Sequence, residues 1–512
     1  MNKMYKLLKV LLALILFMGL SGTAALPNHT GQVRIHPSLA QIAAKTPDQM
    51  VAVIVQKADH SDRAEKLVQK LGGQVTKDLH IINAFAGELT AKAVFELSRD
   101  LAVRWISPDA TVTQSSEPID TTNLKSVFIS TVGADQVWNE GPAYLQGEGV
   151  TVAVVDSGEC LFCQDLRTPD YQPRYLAQVS VLSGPGNSNP TDYYGHGTLV
   201  AGVMGANGTG SNRQWMGVAP DINLVSVKVS NNQGSAHASD VVNGLQWVLD
   251  NKSTYNIRVV NLSLNSDTIE SYDTSPIDAA VEILWFNQIV VVVAAGNNGT
   301  AALYPPANDP FVITVGAAND KGTPNLDDDE VASFSAYGVT ESGFAKPDLV
   351  APGTNLISFV SGAKNTIWRT YVDHRTGQSN STEKYMRVSG TSMSAPVVSG
   401  AVALLLQNEP TLTPDQVKYR LMETANKSWP GYDAVKAGAG YLDVFAAVHG
   451  GTIESTNTGI NASQHLWTGS EPITWESVSW NSVSWNSVSW NSVSWNSVSW
   501  NSVSWNSDYW GN

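Results

Sequence analysis

The sequence predicts an α/β protein built on a doubly wound, mostly parallel sheet, preceded by a small ferredoxin-like α+β domain. Strand-like and helix-like segments alternate from about residue 127 to 448, as they do in a parallel sheet with helical crossovers. Before them, residues 49–112 follow the order β-α-β-β-α-β. In an open parallel sheet, ligand sites lie beyond the carboxyl ends of the strands, so we look for chemistry there.

Composition limits the class of function. The chain has 512 residues, 43% of them hydrophobic and 15% charged, which is typical of a globular protein with more than one domain. Its formal net charge of −15 would repel phosphates, and nucleic acid is therefore not expected as a partner.

The amino terminus has the layout of a secretory signal. Lys3, Lys6 and Lys9 precede an apolar run over residues 10–20, and small residues up to Ala25 follow. A membrane anchor is the alternative, but the apolar run is short for a span of about 20 residues. We expect residues 1–25 to be a signal peptide and the protein to be secreted.

The small domain is defined by its apolar periodicity. Strands are predicted over residues 51–55, 75–82, 84–89 and 102–106, and helices over residues 64–71 and 91–97. A polar stretch, residues 113–126, then follows as an exposed linker.

The main domain is predicted over residues 127–449. Its strands are predicted over residues 150–155, 224–229, 259–264, 289–295 and 312–317. Its helices are predicted over residues 237–250, 276–286, 393–407 and 414–426.

The carboxyl terminus begins with a predicted linker, residues 450–473, and ends in a repeat, residues 474–512. Tryptophan recurs every five residues within Trp-Asn-Ser-Val-Ser periods, and residues 477–507 carry no charge. A five-residue period suits neither one face of a helix nor one face of a strand. We consider a platform of indoles that binds a partner such as cell-surface glycan, a short pentapeptide solenoid, or a tandem expansion without a role.

Three polar side chains lie where the predicted sheet would present them. Asp156 ends a predicted strand, His196 stands between Gly195 and Gly197 before an apolar run, and Ser392 precedes the predicted helix 393–407. A fourth, Asn297, follows a predicted strand and could donate its amide to an oxyanion. Each has an ordinary alternative, because Asp-Ser-Gly and Gly-Asn-Asn-Gly are common turns and a serine before a helix is often only a cap.

Together these motifs resemble the subtilisin-like serine proteases (subtilases), and the resemblance covers residues 127–448. The chain order Asp, His, Ser is the one found in that family. The motifs that carry the resemblance are Asp156-Ser157-Gly158, His196-Gly197-Thr198, Gly217-Val218-Ala219-Pro220, Gly296-Asn297, Ala332-Ser333-Phe334-Ser335, the run from Lys346 to Gly353, and Gly390-Thr391-Ser392-Met393.

The resemblance implies a serine endopeptidase that acts on proteins or peptides. Ser392 would attack the scissile carbonyl, His196 would transfer the proton, and Asp156 would orient the imidazole. Asn297 and the Ser392 backbone N–H would stabilise the oxyanion. This chemistry needs no metal or organic cofactor. Two alternatives are an inactive subtilase that acts as a scaffold and an adhesive protein that binds a surface through its tryptophan-rich tail.

The resemblance also implies a substrate cleft with two edges that pair with an extended peptide. The edge residues are Gly234, Ser235 and Ala236 on one side, and Ser263, Leu264 and Asn265 on the other. Where the family has glycines after Ser-Leu, this chain has Asn265 and Ser266, so we expect side chains at the cleft wall and narrower pockets.

Two further features lie close to Asp156 in sequence. Asp165 matches a family aspartate that binds structural calcium, with carbonyls from residues 207–214 as further ligands, although that loop departs from the usual sequence. Cys160 and Cys163, the only cysteines, could form a local disulfide that stiffens the turn or a redox switch.

Residues 49–112 resemble the subtilase propeptide, which would make the chain a zymogen. The implied role is to block the cleft and to assist the folding of a sheet rich in non-local contacts. The segment would then be a partner of the enzyme after cleavage in the linker.

Overall fold

The computed structural model describes residues 34–109, 118–141, 143–184, 188–380, 382–466 and 502–504. Two compact units divide the chain, residues 1–114 and 115–512. Three predicted segments lie wholly or partly outside the described residues: the signal peptide, residues 113–117 of the first linker, and residues 467–501 and 505–512 of the second linker and the Trp repeat. Within the described part of the chain, no helix combines the length and apolar character that a bilayer span requires.

The first unit has the predicted β-α-β-β-α-β order, preceded by a helix that the sequence did not predict. Its elements are α1 (Pro37–Lys45), β1 (Met50–Lys57), α2 (Arg63–Lys70), β2 (Gln74–Leu79), β3 (Ala84–Thr90), α3 (Ala91–Leu97) and β4 (Val103–Pro108). The strands form an antiparallel sheet in the order β2-β3-β1-β4. The role of this unit as a propeptide stays a prediction.

Strand β1 shows why this unit folds as it does. Val51, Val53 and Val55 alternate with more exposed residues, so their side chains share one face of the sheet. That face packs on apolar residues of the helices, including Val68 of α2 and Val94 of α3. The alternation that predicted the strand therefore also builds the core.

The second unit opens with two short helices and continues with alternating strands and helices. Its helices are α4 (Val127–Thr131), α5 (Ala134–Trp138), α6 (His196–Gly205), α7 (Ala238–Tyr255), α8 (Pro276–Phe286), α9 (Thr366–Thr370), α10 (Thr391–Asn408), α11 (Pro414–Thr424), α12 (Ala434–Ala437) and α13 (Val444–His449). The strands up to the centre of the chain are β5 (Thr151–Asp156), β6 (Tyr175–Ser180), β7 (Asn223–Lys228), β8 (Ser235–His237), β9 (Ile257–Leu262), β10 (Asn265–Ser266), β11 (Val290–Ala294) and β12 (Ile313–Asn319). The later strands are β13 (Glu330–Val331), β14 (Gly338–Val339), β15 (Ala345–Lys346), β16 (Leu349–Pro352), β17 (Leu356–Ser361), β18 (Arg375–Ser379), β19 (Glu383–Val388) and β20 (Ser502–Ser504).

The central sheet of this unit has eight strands in the part of the chain that the structure describes. They run β13-β12-β11-β9-β5-β7-β6, with β16 beside β12, and every pair is parallel except β12 with β13. Helices α6 and α10 pack together against the sheet, and α7 and α8 form a second such pair. Because β5, β9 and β11 are buried on both faces, one pair covers each face, and the predicted doubly wound α/β fold is confirmed.

The sequence did not predict several strands of the second unit. Strands β17, β18 and β19 form a separate antiparallel sheet, and β6 lies at the edge of the central one. Strand β6 is only partly buried, and its weak apolar pattern explains why it gave no strand signal.

The described parts of both predicted linkers pack on the second unit. Ile119 exchanges two hydrogen bonds with the side chain of Asn139, at 2.6 and 2.8 Å. Residues 451–466 include buried Ala462 and Leu466, and the Ser463 N–H donates to Glu282 Oε2 at 2.8 Å. The packed part of the chain therefore continues at least to residue 466, beyond the predicted boundary at 449.

Candidate active site

Asp156 and His196 meet at the carboxyl edge of the central sheet. Asp156 is the last residue of β5 and His196 is the first of α6, and both are buried. The His196 Nδ1 atom lies 2.9 Å from each carboxylate oxygen of Asp156. Two groups that are 40 residues apart in sequence thus form one hydrogen-bonded pair.

Glycine makes this close approach possible. A Cβ atom on Gly197 would lie 2.2 Å from the Gly158 carbonyl oxygen and 3.1 Å from Asp156 Oδ1. Gly195, with φ of 115°, takes a left-handed conformation just before the helix. The glycines on both sides of His196 are therefore required by the geometry, as the sequence suggested.

Burial governs the electrostatics of Asp156. Removal from water raises the pKa of its carboxyl group, while the nearby His196 and the Ser157 N–H, which donates at 2.6 Å, act in the opposite direction. These two neighbours oppose the effect of burial on this carboxyl group without cancelling it.

Asp192, which the sequence analysis did not identify, fixes the start of α6. Its carboxylate accepts hydrogen bonds from the Gly195 N–H at 2.6 Å, from the Thr198 N–H at 3.0 Å and from the Thr198 hydroxyl at 2.7 Å. It also accepts one from the Ser157 hydroxyl at 2.9 Å, which links it to the turn after Asp156. An acidic residue just before a helix was the available signal, because the helix N-terminus attracts negative charge.

Ser392 lies in the first turn of α10, which packs on α6. Its hydroxyl is buried and donates to the Ser263 carbonyl oxygen at 3.1 Å. The Ser263 hydroxyl in turn donates to the Ser392 carbonyl oxygen at 2.8 Å. Ser392 is thus tied to the segment that follows β9, the neighbour of β5 in the sheet.

Asn297 lies just beyond β11, beside the same helix start. Its Oδ1 atom accepts hydrogen bonds from the Thr391 N–H at 2.8 Å and from the Thr391 hydroxyl at 2.9 Å. Because a backbone N–H can only donate, these contacts fix the orientation of the amide. Its Nδ2 atom is buried and has no hydrogen-bond partner among the described residues, so a donor is left available.

The two predicted cleft edges occupy β8 and the segment around β10. Gly234, with φ of 82°, turns the chain into β8, and a Cβ there would lie 2.5 Å from the Tyr194 ring. Asn265 differs from expectation, because it is buried and its Nδ2 atom donates to the Ala294 carbonyl oxygen at 2.9 Å. Its side chain is tied to the end of β11 instead of forming the cleft wall.

Asp165, the expected calcium ligand, accepts hydrogen bonds from other described residues. The buried carboxylate accepts hydrogen bonds from the Gly210 N–H and, at 2.8 Å, from the Tyr385 hydroxyl. Burial raises its pKa to about 7. Donors therefore face both oxygens, whereas a calcium site needs further oxygen ligands. Within the described residues no group of three or more His, Cys, Asp or Glu side chains could hold a metal ion.

Cys160 and Cys163 are both buried and are joined by a disulfide bond between β5 and Asp165. This is the first of the two states that the sequence left open. The bond closes the turn next to the Asp156–His196 pair.

Comparison with known proteins agrees with this architecture. Residues 147–441 match the model of the subtilase family of peptidases. The chain is 38% identical over 314 residues to the serine protease AprX of Bacillus subtilis, which covers 60% of this chain and 67% of AprX. It is 31% identical over 395 residues to subtilisin NAT of Bacillus subtilis subsp. natto, which covers 75% of this chain and 88% of that protein.

A solved structure shows the same fold. The crystal structure of fervidolysin from Fervidobacterium pennivorans, described as a keratinolytic enzyme related to subtilisin, aligns with a TM-score of 0.51 at 24% identity. The alignment covers 81% of this chain and 63% of the fervidolysin chain, so the present chain spans less than two thirds of that protein. From the family match and its relatives, we conclude that this chain belongs to the subtilase family and is a subtilisin-like serine endopeptidase.

Proposed function

We propose that this enzyme cleaves proteins through Ser392, His196 and Asp156 by way of an acyl-enzyme. The Ser392 hydroxyl attacks the scissile carbonyl while His196 takes its proton and then gives that proton to the leaving amine. Water releases the acyl group by the same route in reverse. Asp156 holds the imidazole in the tautomer whose Nε2 atom acts as the base. The paired 2.9 Å contacts of His196 Nδ1 are the observation that carries the proposal.

Asn297 and the backbone N–H of Ser392 form the oxyanion hole in this proposal. The support is the buried Nδ2 atom of Asn297, whose orientation is set by Thr391. Such a donor stabilises the negative charge that appears on the carbonyl oxygen only in the transition state. The substrate is a protein or peptide strand that lies between the edges Gly234–Ala236 and Ser263–Asn265.

Replacing the nucleophile tests this proposal. Ser392→Ala should lower kcat on a denatured protein by about 10⁶-fold, and the parent should be blocked by serine-directed phosphonates. Assays belong at neutral to alkaline pH, where an imidazole can accept a proton. Ser394→Ala, two residues along the same helix, is the matched control, because this buried hydroxyl has no hydrogen-bond partner among the described residues. Equal activity in the parent and Ser392→Ala would exclude the proposed nucleophile.

We further propose that the protein is secreted and matures by cutting itself in the linker. Residues 1–25 act as the signal peptide and residues 49–112 as an inhibitory propeptide that the enzyme removes. The predicted cut lies between residues 113 and 125. Because Ile119 and Lys125 are hydrogen bonded to the second unit, we expect the cut before Ile119.

Mass spectrometry of the secreted protein tests this maturation. The parent should begin between residues 113 and 119, whereas Ser392→Ala should accumulate as a longer chain that has lost only the signal. Trimming of purified Ser392→Ala at the same bond, with no other protease present, would contradict self-processing.

Calcium binding at Asp165 remains a prediction. Such an ion would stabilise the fold and would take no part in the proposed reaction. A chelator should lower the thermal midpoint of the parent if an ion is bound there, and should leave it unchanged if the hydrogen bonds alone hold this carboxyl group.

A further inference from the structure

A strand from the Trp repeat lies between the two edges of the cleft. Strand β20 pairs with β10 on one side, with Ser504 opposite Asn265 and Val503 opposite Ser266. On the other side it pairs with β8, with Ser504 opposite Ser235, Val503 opposite Ala236 and Ser502 opposite His237. The pairing is antiparallel to both edges, so the tail forms the middle strand of a small sheet.

This is the position proposed above for the substrate. The edge that holds Ser504 begins two residues earlier at Ser263, whose carbonyl oxygen accepts the hydrogen bond of the Ser392 hydroxyl. Since Val503 faces Ser266 and Ser504 faces Asn265, the strand points its carboxyl end toward Ser263. The tail strand thus enters the cleft lengthwise and runs toward the proposed nucleophile.

The repeat is suited to this position by its sequence. The paired tripeptide Ser-Val-Ser occurs six times, at residues 477–479, 482–484, 487–489, 492–494, 497–499 and 502–504. Because the six tripeptides are identical in sequence, a shift of five residues would bring another copy with the same backbone donors and acceptors to the edges. The tract contains no proline and no charge between residues 477 and 507, so its backbone can form a ladder on both sides without a buried charge.

We propose that the Trp repeat is an intramolecular ligand of the substrate cleft, which inserts one Ser-Val-Ser tripeptide as a substrate-like strand and competes with protein substrates. This inference rests on the proposed function only for its assignment of the cleft to substrate. A tethered ligand acts at an effective concentration of about millimolar, so even a weak strand pairing is sufficient. The repetition of the tripeptide multiplies the registers that fill the cleft.

Steady-state kinetics give the first test. Competition by the tail raises the KM for a soluble peptide and leaves kcat unchanged. The KM should rise by about 10-fold if the tail fills the cleft for about nine-tenths of the time. The comparison is between the mature full chain and a chain that ends at Leu466, a buried residue and the last described one before the repeat. Equal KM values in the two chains would overturn the proposal.

A proline-substituted tail is the matched control. In this control, the valine of every Ser-Val-Ser tripeptide is replaced by proline, including Val503→Pro in β20. Proline has no backbone N–H to donate to the ladder, while the length of the tail and all its tryptophans are kept. Its KM should equal that of the chain that ends at Leu466. If it keeps the high KM of the parent, the indoles or mere bulk cause the effect, and strand insertion is wrong.

Direct binding gives a test that does not depend on activity. A synthetic peptide of three Trp-Asn-Ser-Val-Ser periods should bind the Ser392→Ala chain that ends at Leu466, and its proline-substituted form should not, as measured by calorimetry. This result stands even if the parent shows no hydrolysis, so failure here and failure of the proposed function are distinguishable. No binding of the peptide, together with tail-dependent retention of the full chain on insoluble cell-wall glycan, would overturn cleft insertion in favour of a surface anchor.

Discussion

At the scale of single residues, Asn297 shows how one side chain joins structure and chemistry. Its oxygen is used by the Thr391 N–H and hydroxyl at the start of α10, and only its nitrogen is left for substrate. A change at this position can therefore act on the helix start or on the oxyanion, and the two effects need separate variants.

Asn297→Asp keeps an oxygen for Thr391 but replaces the free donor by an acceptor. We expect kcat to fall by about 10²- to 10³-fold or more with little change in KM, a range established for such a donor in a subtilisin. The thermal midpoint should stay close to that of the parent, whereas Asn297→Ala should lower both kcat and the midpoint. Steady-state kinetics and thermal unfolding of both variants check this, and an unchanged kcat in Asn297→Asp would exclude the oxyanion role.

The residues that the sequence identified and the one that it missed differ in a simple way. Asp156 and His196 each end or begin a strongly patterned element, so their placement follows from local sequence. Asp192 precedes no strand and lies in a loop, and its four hydrogen bonds reach across to residues 157, 195 and 198. An acidic residue before a helix start was a local signal, but only the folded chain reveals these four partners.

At the scale of elements, residues 451–466 act as a packed strap and not as a linker. Leu466 is buried, and Asn457 Nδ2 donates to Asp415 Oδ1 at 2.7 Å. The Thr452 carbonyl oxygen accepts from the Nε atom of the buried Arg420 at 2.9 Å. Without the strap, Arg420 would lose this acceptor and keep its ion pair with Glu409 Oε1 at 2.9 Å, so one of the hydrogen bonds of a buried cation would be broken.

Two truncated chains measure this contribution. In a Ser392→Ala background, which avoids self-digestion, a chain that ends at Gly450 should be at least about 3 kcal/mol less stable than one that ends at Leu466, because it loses a buried leucine and partners of Arg420. Urea unfolding gives the two free energies. Equal values would mean that the strap contributes nothing to stability.

Elements were predicted best where capping and periodicity agree. Helices α8 and α11 begin with proline after a serine or threonine cap, and Ser275 and Thr413 accept the expected backbone hydrogen bonds. Among the described residues, strands β17, β18 and β19 pair with one another and not with the central sheet. They contain polar residues, so no clear apolar period predicted them.

At the scale of the whole molecule, the second unit buries three carboxyl groups together. Asp278 and Glu282 of α8 and Asp309 before β12 are fully buried. Burial is the largest cause that raises the pKa of Asp278 and Glu282 well above the usual range, and the negative charge of Asp309 adds to it. Burial also raises the pKa of Asp309 to about 6, although Lys346 acts against this.

These shifts make stability depend on pH with a definite sign. The folded chain holds protons on these carboxyl groups that the unfolded chain releases above its ordinary pKa of about 4. Their stabilising contribution is therefore complete below about pH 4 and is lost as the pH rises through the raised values of the folded state.

Glu282→Gln tests this linkage, because glutamine resembles the protonated acid and can still accept from the Ser463 N–H. The urea midpoint of the variant, in the Ser392→Ala background, should be close to that of the parent near pH 4.5 and higher at pH 8. Glu423→Gln, on the exposed face of α11, removes the same charge and should change stability by less than about 0.5 kcal/mol at both pH values. A variant that is less stable than the parent at pH 8 would contradict the raised pKa of Glu282.

The sequence by itself determined the α/β class and the order of most elements. It also determined that Asp156 and Asn297 lie at strand ends and that His196 and Ser392 lie at helix starts. It could do so because apolar period, glycine and helix caps act over a few neighbouring residues. The tertiary structure alone decided the 2.9 Å contacts between His196 and Asp156 and the anchoring by Asp192. It also decided the contact of Asn265 with β11, the packing of residues 451–466 and the pairing of Ser502–Ser504 with β8 and β10. Each of these contacts joins groups that are far apart in sequence. The packing of the whole chain sets the distance between such groups, so a local sequence pattern cannot predict it.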